Sequence, residues 1–270
     1  MTGAVVQELT GTVSGDVVRL ETDGPVATVV VARPEMRNAL SPAVIAGLND
    51  AVRRLRESDV RAVVVCGEGP HFCAGADISA ALEVSTEAEA RSFIARFQEA
   101  FRAISTLPQP VIAAVEGYAL GGGCELALWC DIRVVSETAR LGVPEVKIGA
   151  LPAAGGTQML TRLAGRSVAL EMLLLGDPIT GERAHQLGLA TSLVPAGETR
   201  AAATEMARRL AGLAPLAMTA MKQCVQADWM PLTDALELER RLGAELFATE
   251  DRREGMSAFL EKRTANFSAR

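Results

Sequence analysis

Glu125 and Glu145 are the two acidic side chains whose settings suit acid–base chemistry. Glu125 comes two residues after the run Gly121-Gly122-Gly123 and precedes an apolar stretch, Leu126-Ala127-Leu128-Trp129. Glu145 follows Pro144 in the run Leu141-Gly142-Val143-Pro144, 20 residues further on. Two carboxylates sharing one site can divide the work of general acid and general base. The 20 residues between them suffice for a helix, a strand and a loop that bring the chain back to the same end. Each also has a plainer role open to it: Glu125 as an acidic residue in a helix's first turn, Glu145 as a cap. From the sequence alone the plainer roles are favoured.

Two glycine-rich loops accompany them, Phe72-Cys73-Ala74-Gly75-Ala76-Asp77 and Gly117-Tyr118-Ala119-Leu120-Gly121-Gly122-Gly123. Each follows a valine-rich segment. Glycine admits positive φ and lets backbone N–H groups approach a ligand. One N–H from each loop could hold a carbonyl oxygen that gains charge during reaction. The same glycines could serve only tight turns, and alone they favour that reading. No Gly-x-Gly-x-x-Gly, Gly-x-x-x-x-Gly-Lys or Gly-x-Ser-x-Gly pattern is present, so dinucleotide, P-loop and serine-hydrolase readings lack support.

The elements that must position these residues are legible in outline. Residues 16–22 and 26–32 read as strands about an Asp23-Gly24-Pro25 turn. Ser41-Pro42 reads as an N-cap followed by proline, opening a helix to about residue 58 with Val44, Ile45, Leu48, Val52 and Leu55 on one face. Strands follow at 61–66, 111–115 and 132–135, and helices at 86–106 and 124–130. This is an α/β order with each glycine loop at the carboxyl end of a strand. From residue 196 the chain turns helical (198–213, 215–227, 231–249, 251–263). Such a thin tail must pack on the first part or on another subunit. Leu236, Leu242, Leu246, Phe247 and Phe259 are expected to lack partners within the chain.

Composition narrows the class. In 270 residues, 49% are apolar and 22% charged, which suits one large globular domain with at most a small appendage. With 27 basic against 33 acidic residues the net charge is −6, and no basic block offers itself to nucleic acid. Five cysteines, an odd number without a Cys-x-x-Cys pair, point to a reducing cytoplasm. His71 and His185 are too far apart for a zinc helix motif, so no metal is expected. No leader pattern is visible in residues 1–10, and no apolar run approaches the roughly 20 residues of a membrane span.

The stretch Pro110-Val-Ile-Ala-Ala-Val-Glu-Gly-Tyr-Ala-Leu-Gly-Gly-Gly-Cys-Glu-Leu-Ala127 closely resembles the signature of the enoyl-CoA hydratase/isomerase (crotonase) superfamily. So do Phe72-Cys-Ala-Gly-Ala-Asp-Ile78, Pro144-Glu145, Gly155-Gly-Thr-Gln158 and Asp251-Arg-Arg-Glu-Gly-Met-Ser-Ala-Phe-Leu-Glu-Lys262. The resemblance spans about residues 17–267, and short-chain enoyl-CoA hydratase is the branch it most suggests. It implies an α/β fold: a crotonase-like spiral of ββα units over residues 1–195, then a helical trimerisation region over 196–270, assembled as a homotrimer or a homohexamer. It implies oxyanion donors at Ala76 and Gly122, and catalytic carboxylates at Glu125 and Glu145. The expected substrate is an acyl-CoA thioester held by Arg37, Ala39, Leu40, Ala74, Asp77, Ile78, Ser79, Tyr118, Leu120 and Pro144. Lys262 is expected to meet a CoA phosphate from a neighbouring subunit, or to be a solvated helix charge.

The implied reaction is reversible syn addition of water to a trans-2-enoyl-CoA, with no cofactor beyond the coenzyme A of the substrate. Three alternatives stay open: double-bond isomerisation or another crotonase reaction, a non-catalytic or RNA-binding role, and a subunit of a larger β-oxidation complex. Cys73 and Cys124 read as packing residues. Departures from the family pattern stand at Glu116, where asparagine is common, and at Ala153 and Met159, which are expected to bear on acyl-chain preference.

Overall fold

Valine-rich runs and capped helices account for most of the architecture. The computed structural model describes the backbone of residues 11–13 and all of residues 17–270. Asp16, the expected start of the first strand, and residues 1–10 lie outside the described residues. β1 (Gly11–Val13), which the sequence reading did not anticipate, pairs antiparallel with β2 (Val18–Asp23), and β2 turns at Gly24 into β3 (Val26–Val31). α1 (Pro42–Arg56) begins where the Ser41 hydroxyl accepts the Val44 N–H. β4 (Ala62–Gly67) follows, then α2 (Ile78–Leu82) and α3 (Glu87–Ser105), which opens with a reciprocal Thr86–Glu89 capping box.

After β5 (Val111–Val115) come β6 (Tyr118–Leu120), α4 (Gly122–Trp129), β7 (Ile132–Ser136) and β8 (Arg140–Gly142). A 3-10 turn at Pro144–Ile148 leads to α5 (Gly156–Ala164), α6 (Arg166–Leu175), β9 (Ile179–Thr180), α7 (Gly181–Gln186) and β10 (Ser192–Val194). The C-terminal part is helical: α8 (Thr199–Ala211), α9 (Pro215–Gln226), α10 (Leu232–Phe247) and α11 (Glu250–Glu261).

The main sheet runs β1-β2-β3-β4-β5-β7-β10, antiparallel across its first three strands and parallel from β3 onward. Its central strands are apolar on both faces, as buried parallel strands must be. Alternation then sorts the side chains. Val63 and Val65 of β4 join Leu48, Val52, Phe101 and Ile104 on one side. Ala62, Val64 and Cys66 face Ala203, Ala207 and Ala211 of α8 on the other. The i, i+4 alanines let α8 sit close against the sheet. The tail's first helix therefore completes the core.

Two polar ties hold the tail in place. The Glu116 carboxylate accepts the Gly197 N–H and the Thr199 hydroxyl at the start of α8 (3.0 and 3.1 Å). Lys222 of α9 reaches Asp131 (2.6 Å) and donates to the Gln109 carbonyl (2.7 Å). Further out, Leu236, Phe247 and Phe259 are exposed as the sequence suggests, whereas Leu242 is only 6% exposed and finds its partners within the chain. No helix among the described residues is long and apolar enough to cross a membrane.

Candidate active site

A ladder of short backbone pairings assembles the site. Leu40 bridges Ala76, and Cys73 bridges Ala119, both in parallel sense. β6 in turn runs parallel to β8 with Leu120 opposite Gly142, in a second sheet β6-β8-β9. Parallel pairing aligns strand ends. The residues after Leu120 and after Gly142 therefore emerge side by side, and the Gly121 N–H donates to the Gly142 carbonyl (2.8 Å). This is why carboxylates 20 residues apart share one place. β6 itself lies inside the stretch read as a loop, and α4 begins two residues before the expected start, at Gly122.

The N-terminus of α4 is the centre of the arrangement. Gly121 has φ of +51°, and a Cβ there would stand 2.7 Å from Glu145 Oε1. Glycine is thus required both for the turn and for the close approach of that carboxylate. A Cβ on Gly122 would lie 3.4 Å from the Ala76 nitrogen, so the two residues expected to donate are close neighbours. Among the described residues neither N–H has an acceptor. For Gly122 this follows from its place at the first turn of a helix. For Ala76 it follows from the bridge to Leu40, which uses the Gly75 carbonyl and the Asp77 N–H (2.8 and 3.0 Å) and turns the intervening N–H the other way. Two neighbouring N–H groups without a protein acceptor are what an oxyanion site requires.

Glu125 is 3% exposed in a helix otherwise made of small and apolar residues. Its Oε1 accepts the Gly156 N–H at 2.7 Å, at the first turn of α5. Gly156 must be glycine, since a Cβ would meet Glu125 Oε1 at 3.0 Å and the Pro152 ring at 2.8 Å. Burial is the larger influence on Glu125 and pushes its pKa up to about 7; the Gly156 N–H opposes this and the nearby Glu145 charge reinforces it. Glu145, on the 3-10 turn, is also raised by burial, and its Oε2 is buried without a hydrogen-bond partner among the described residues. Burial thus raises both carboxyls, and the Glu145 charge is felt at Glu125.

The sequence profile of the enoyl-CoA hydratase/isomerase family matches residues 21–270. The chain belongs to this family. It is 40% identical over 247 residues to the 2,3-dehydroadipyl-CoA hydratase of Escherichia coli (strain K12), covering 91% of this chain and 96% of that one. It is 39% identical over 247 residues to the short-chain-enoyl-CoA hydratase of Clostridium acetobutylicum, covering 90% and 94%. The crystal structure of an enoyl-CoA hydratase from Bacillus anthracis superposes with a TM-score of 0.90 at 33% identity, covering 94% of this chain and 100% of that one. The fold is accordingly that of the crotonases.

Most of the residues expected to hold substrate lie on or beside the two glycine loops and the turn bearing Glu145. Ala39 and Leu40 are buried beneath it, with Leu40 Cδ1 3.2 Å from where a Gly122 Cβ would be. The Ala74 N–H donates to the Arg37 carbonyl (2.9 Å), and the exposed Arg37 guanidinium lies over the Tyr118 ring, 5.8 Å from its centroid. Tyr118 stacks on His71, whose pKa burial lowers. Leu120 is half-buried and donates its N–H to the Cys73 carbonyl (3.0 Å). Ile78 and Ser79 are exposed on the first turn of α2, and Pro144 opens the turn bearing Glu145. The Asp77 carboxylate is engaged within the chain, bound to Arg33 (3.1 Å) and to the Ser79 N–H (3.1 Å). Lys262 caps α11 in the left-handed region, exposed, and no hydrogen bond or ion pair among the described residues ties it to the two loops.

Cys73 and Cys124 are fully buried, and their thiols are pushed up to about 12, which fits packing residues. Sequence reasoning missed Gly156, Trp129 and Gln98. Trp129 Nε1 and Gln98 Nε2 donate to the Ala154 and Ala153 carbonyls (2.8 and 2.6 Å), holding the loop that presents the Gly156 N–H to Glu125. The Gly155-Gly156 pair was the available signal.

A buried carboxyl with a raised pKa has a cost with a definite sign. Glu125 binds a proton in the folded state up to about pH 7, whereas an unfolded glutamate releases it near 4.5. The folded state therefore loses stability as pH rises between these values and carries the full penalty above them, on the order of 3 kcal/mol. Glu125→Gln should raise the melting temperature at pH 8 and leave it nearly unchanged at pH 4.5. Equal changes at both pH values would show that Glu125 is not desolvated as described.

Proposed function

We propose that this protein is an enoyl-CoA hydratase that adds water syn across a trans-2-enoyl-CoA to give a 3-hydroxyacyl-CoA. The observation that supports it best is the placement of two raised-pKa carboxyls, Glu125 and Glu145, near the neighbouring Ala76 and Gly122, whose N–H groups have no acceptor among the described residues. The thioester oxygen accepts from those N–H groups, which draws electrons from C3 and stabilises the enolate-like transition state. Glu125, whose ionised form the Gly156 N–H supports, takes a proton from water as its oxygen bonds to C3. The C2–C3 π electrons move toward the thioester, and Glu145 gives its proton to C2. Burial raises the Glu145 carboxyl, which suits the proton donor. The proton then exchanges from Glu125 to Glu145 and restores the pair.

Isomerisation needs only one carboxylate to move a proton and leaves the second, half-buried glutamate unexplained. The thioester is its own electron sink, so the reading calls for no cofactor beyond the coenzyme A of the substrate. Five thiols, none in a disulfide, support a reducing, cytoplasmic setting. The test is loss of the enoyl thioester absorbance with crotonyl-CoA and longer enoyl-CoAs. Turnover of 3-enoyl-CoA without hydration would favour isomerisation instead.

The reading extends to a homotrimer or homohexamer. Trp229, Leu232, Phe247, Phe259 and Leu260 are large apolar side chains left exposed on the C-terminal helical region, where neighbouring subunits would cover them. Light scattering should give three or six chains, and an active monomer would overturn the assembly.

A further inference from the structure

We propose that Arg33 and Asp77 form a positioning pair that sets the direction of the Ala76 N–H toward the reacting carbonyl. The inference rests on the reading of Ala76 and Gly122 as oxyanion donors. Asp77 is the residue directly after Ala76. Its Oδ2 meets Arg33 Nη1 at 3.1 Å, and its Oδ1 accepts the Ser79 N–H at 3.1 Å to cap α2. Arg33 Nη1 also donates to the Ala39 carbonyl at 2.8 Å. The same guanidinium nitrogen thus holds both backbone strips that bridge at Leu40 and Ala76. The Arg33 end is itself fixed, because its N–H donates to Asn38 Oδ1 (3.0 Å) and Asn38 is fully buried.

The side chains of the pair are 17% and 11% exposed, so the interaction is shielded from solvent. Leu40, between the two strips, packs against Gly122. A slip of one strip past the other would therefore move Ala76 relative to Gly122 and spoil convergence on one oxygen. Errors near 1 Å at such positions cost up to about 10²-fold in rate. Neither charge of the pair is used to bind substrate in this arrangement. Its effect belongs to the chemical step.

The probe is [1-13C]butyryl-CoA, a saturated thioester that cannot be hydrated, observed by infrared spectroscopy. Bound to the wild-type protein, its carbonyl stretch should fall below the value in water. In Asp77→Asn it should return toward that value, kcat for crotonyl-CoA should drop about 10- to 100-fold, and KM and the Kd of free CoA should stay within about threefold. Arg33→Lys, which keeps the charge but loses the fork, should do the same in smaller measure, and carries the test if Asp77→Asn does not fold. The double variant Arg33→Met/Asp77→Asn leaves no unpaired charge and should remain slow. Recovery of wild-type kcat and carbonyl frequency in the double variant would overturn the proposal. So would an unchanged carbonyl stretch in Asp77→Asn, or CoA affinity that falls in step with kcat. No shift even in the wild type would overturn the oxyanion reading itself, and this inference with it.

Discussion

Removing the Gly122 N–H should lower kcat for hydration by about 10²–10³, or ~2.7–4 kcal/mol of transition-state stabilisation. Gly122→Pro achieves this at the first helical residue of α4, where proline's φ is suitable and no intrahelical hydrogen bond is lost. The folded protein should still bind free CoA, which has no thioester carbonyl. A methyl at Gly122 would lie 3.2 Å from Leu40 Cδ1 and 3.4 Å from the Ala76 nitrogen, so Gly122→Ala keeps the donor but crowds the space it serves. Replacing the Gly121–Gly122 amide by an ester removes the donor and adds no atom. Proline and ester should then fall together. Near-wild-type hydration in the ester variant would rule out the donor, and parallel loss of CoA binding would assign the loop to the nucleotide instead.

Glu125→Gln and Glu145→Gln should each reduce kcat by at least about 10²-fold, the usual contribution of a positioned acid or base. Affinity for the thioester should change far less. The two variants should also differ from each other. Glu145 charge helps raise the Glu125 pKa, so Glu145→Gln should move the Glu125 titration to lower pH. Carboxyl titration followed by 13C NMR reads this directly. A Glu145→Gln enzyme that hydrates at near wild-type rate would remove that residue from the mechanism.

Much of this was open to sequence reasoning, because it depends on neighbours along the chain. The α1 start at Ser41-Pro42, the valine strands and the four tail helices follow from capping, proline geometry and apolar periodicity. The Glu125 setting follows from three glycines and an apolar helix. The short strands escaped. β1, β6, β8 and β9 span only two or three residues each, too few to show a period, and exist because a neighbouring strip completes their hydrogen bonds. Composition and family resemblance could propose Glu125 and Glu145 as partners, but it is the parallel register of β6 and β8 that places them together.

The sequence by itself therefore determined the α/β class, the capped helices and the two glycine loops, since these rest on local sterics and side-chain chemistry, and it offered both carboxylates as catalytic only through the family resemblance. Only the tertiary structure decided that Asp77 faces Arg33, that Gly156 supports Glu125, and that Leu242 is buried while Phe259 is exposed. It also decided the electrostatics. Burial pushes the Glu125 carboxyl up to about 7 and the Glu145 charge adds to it, and both effects come from residues distant in the chain.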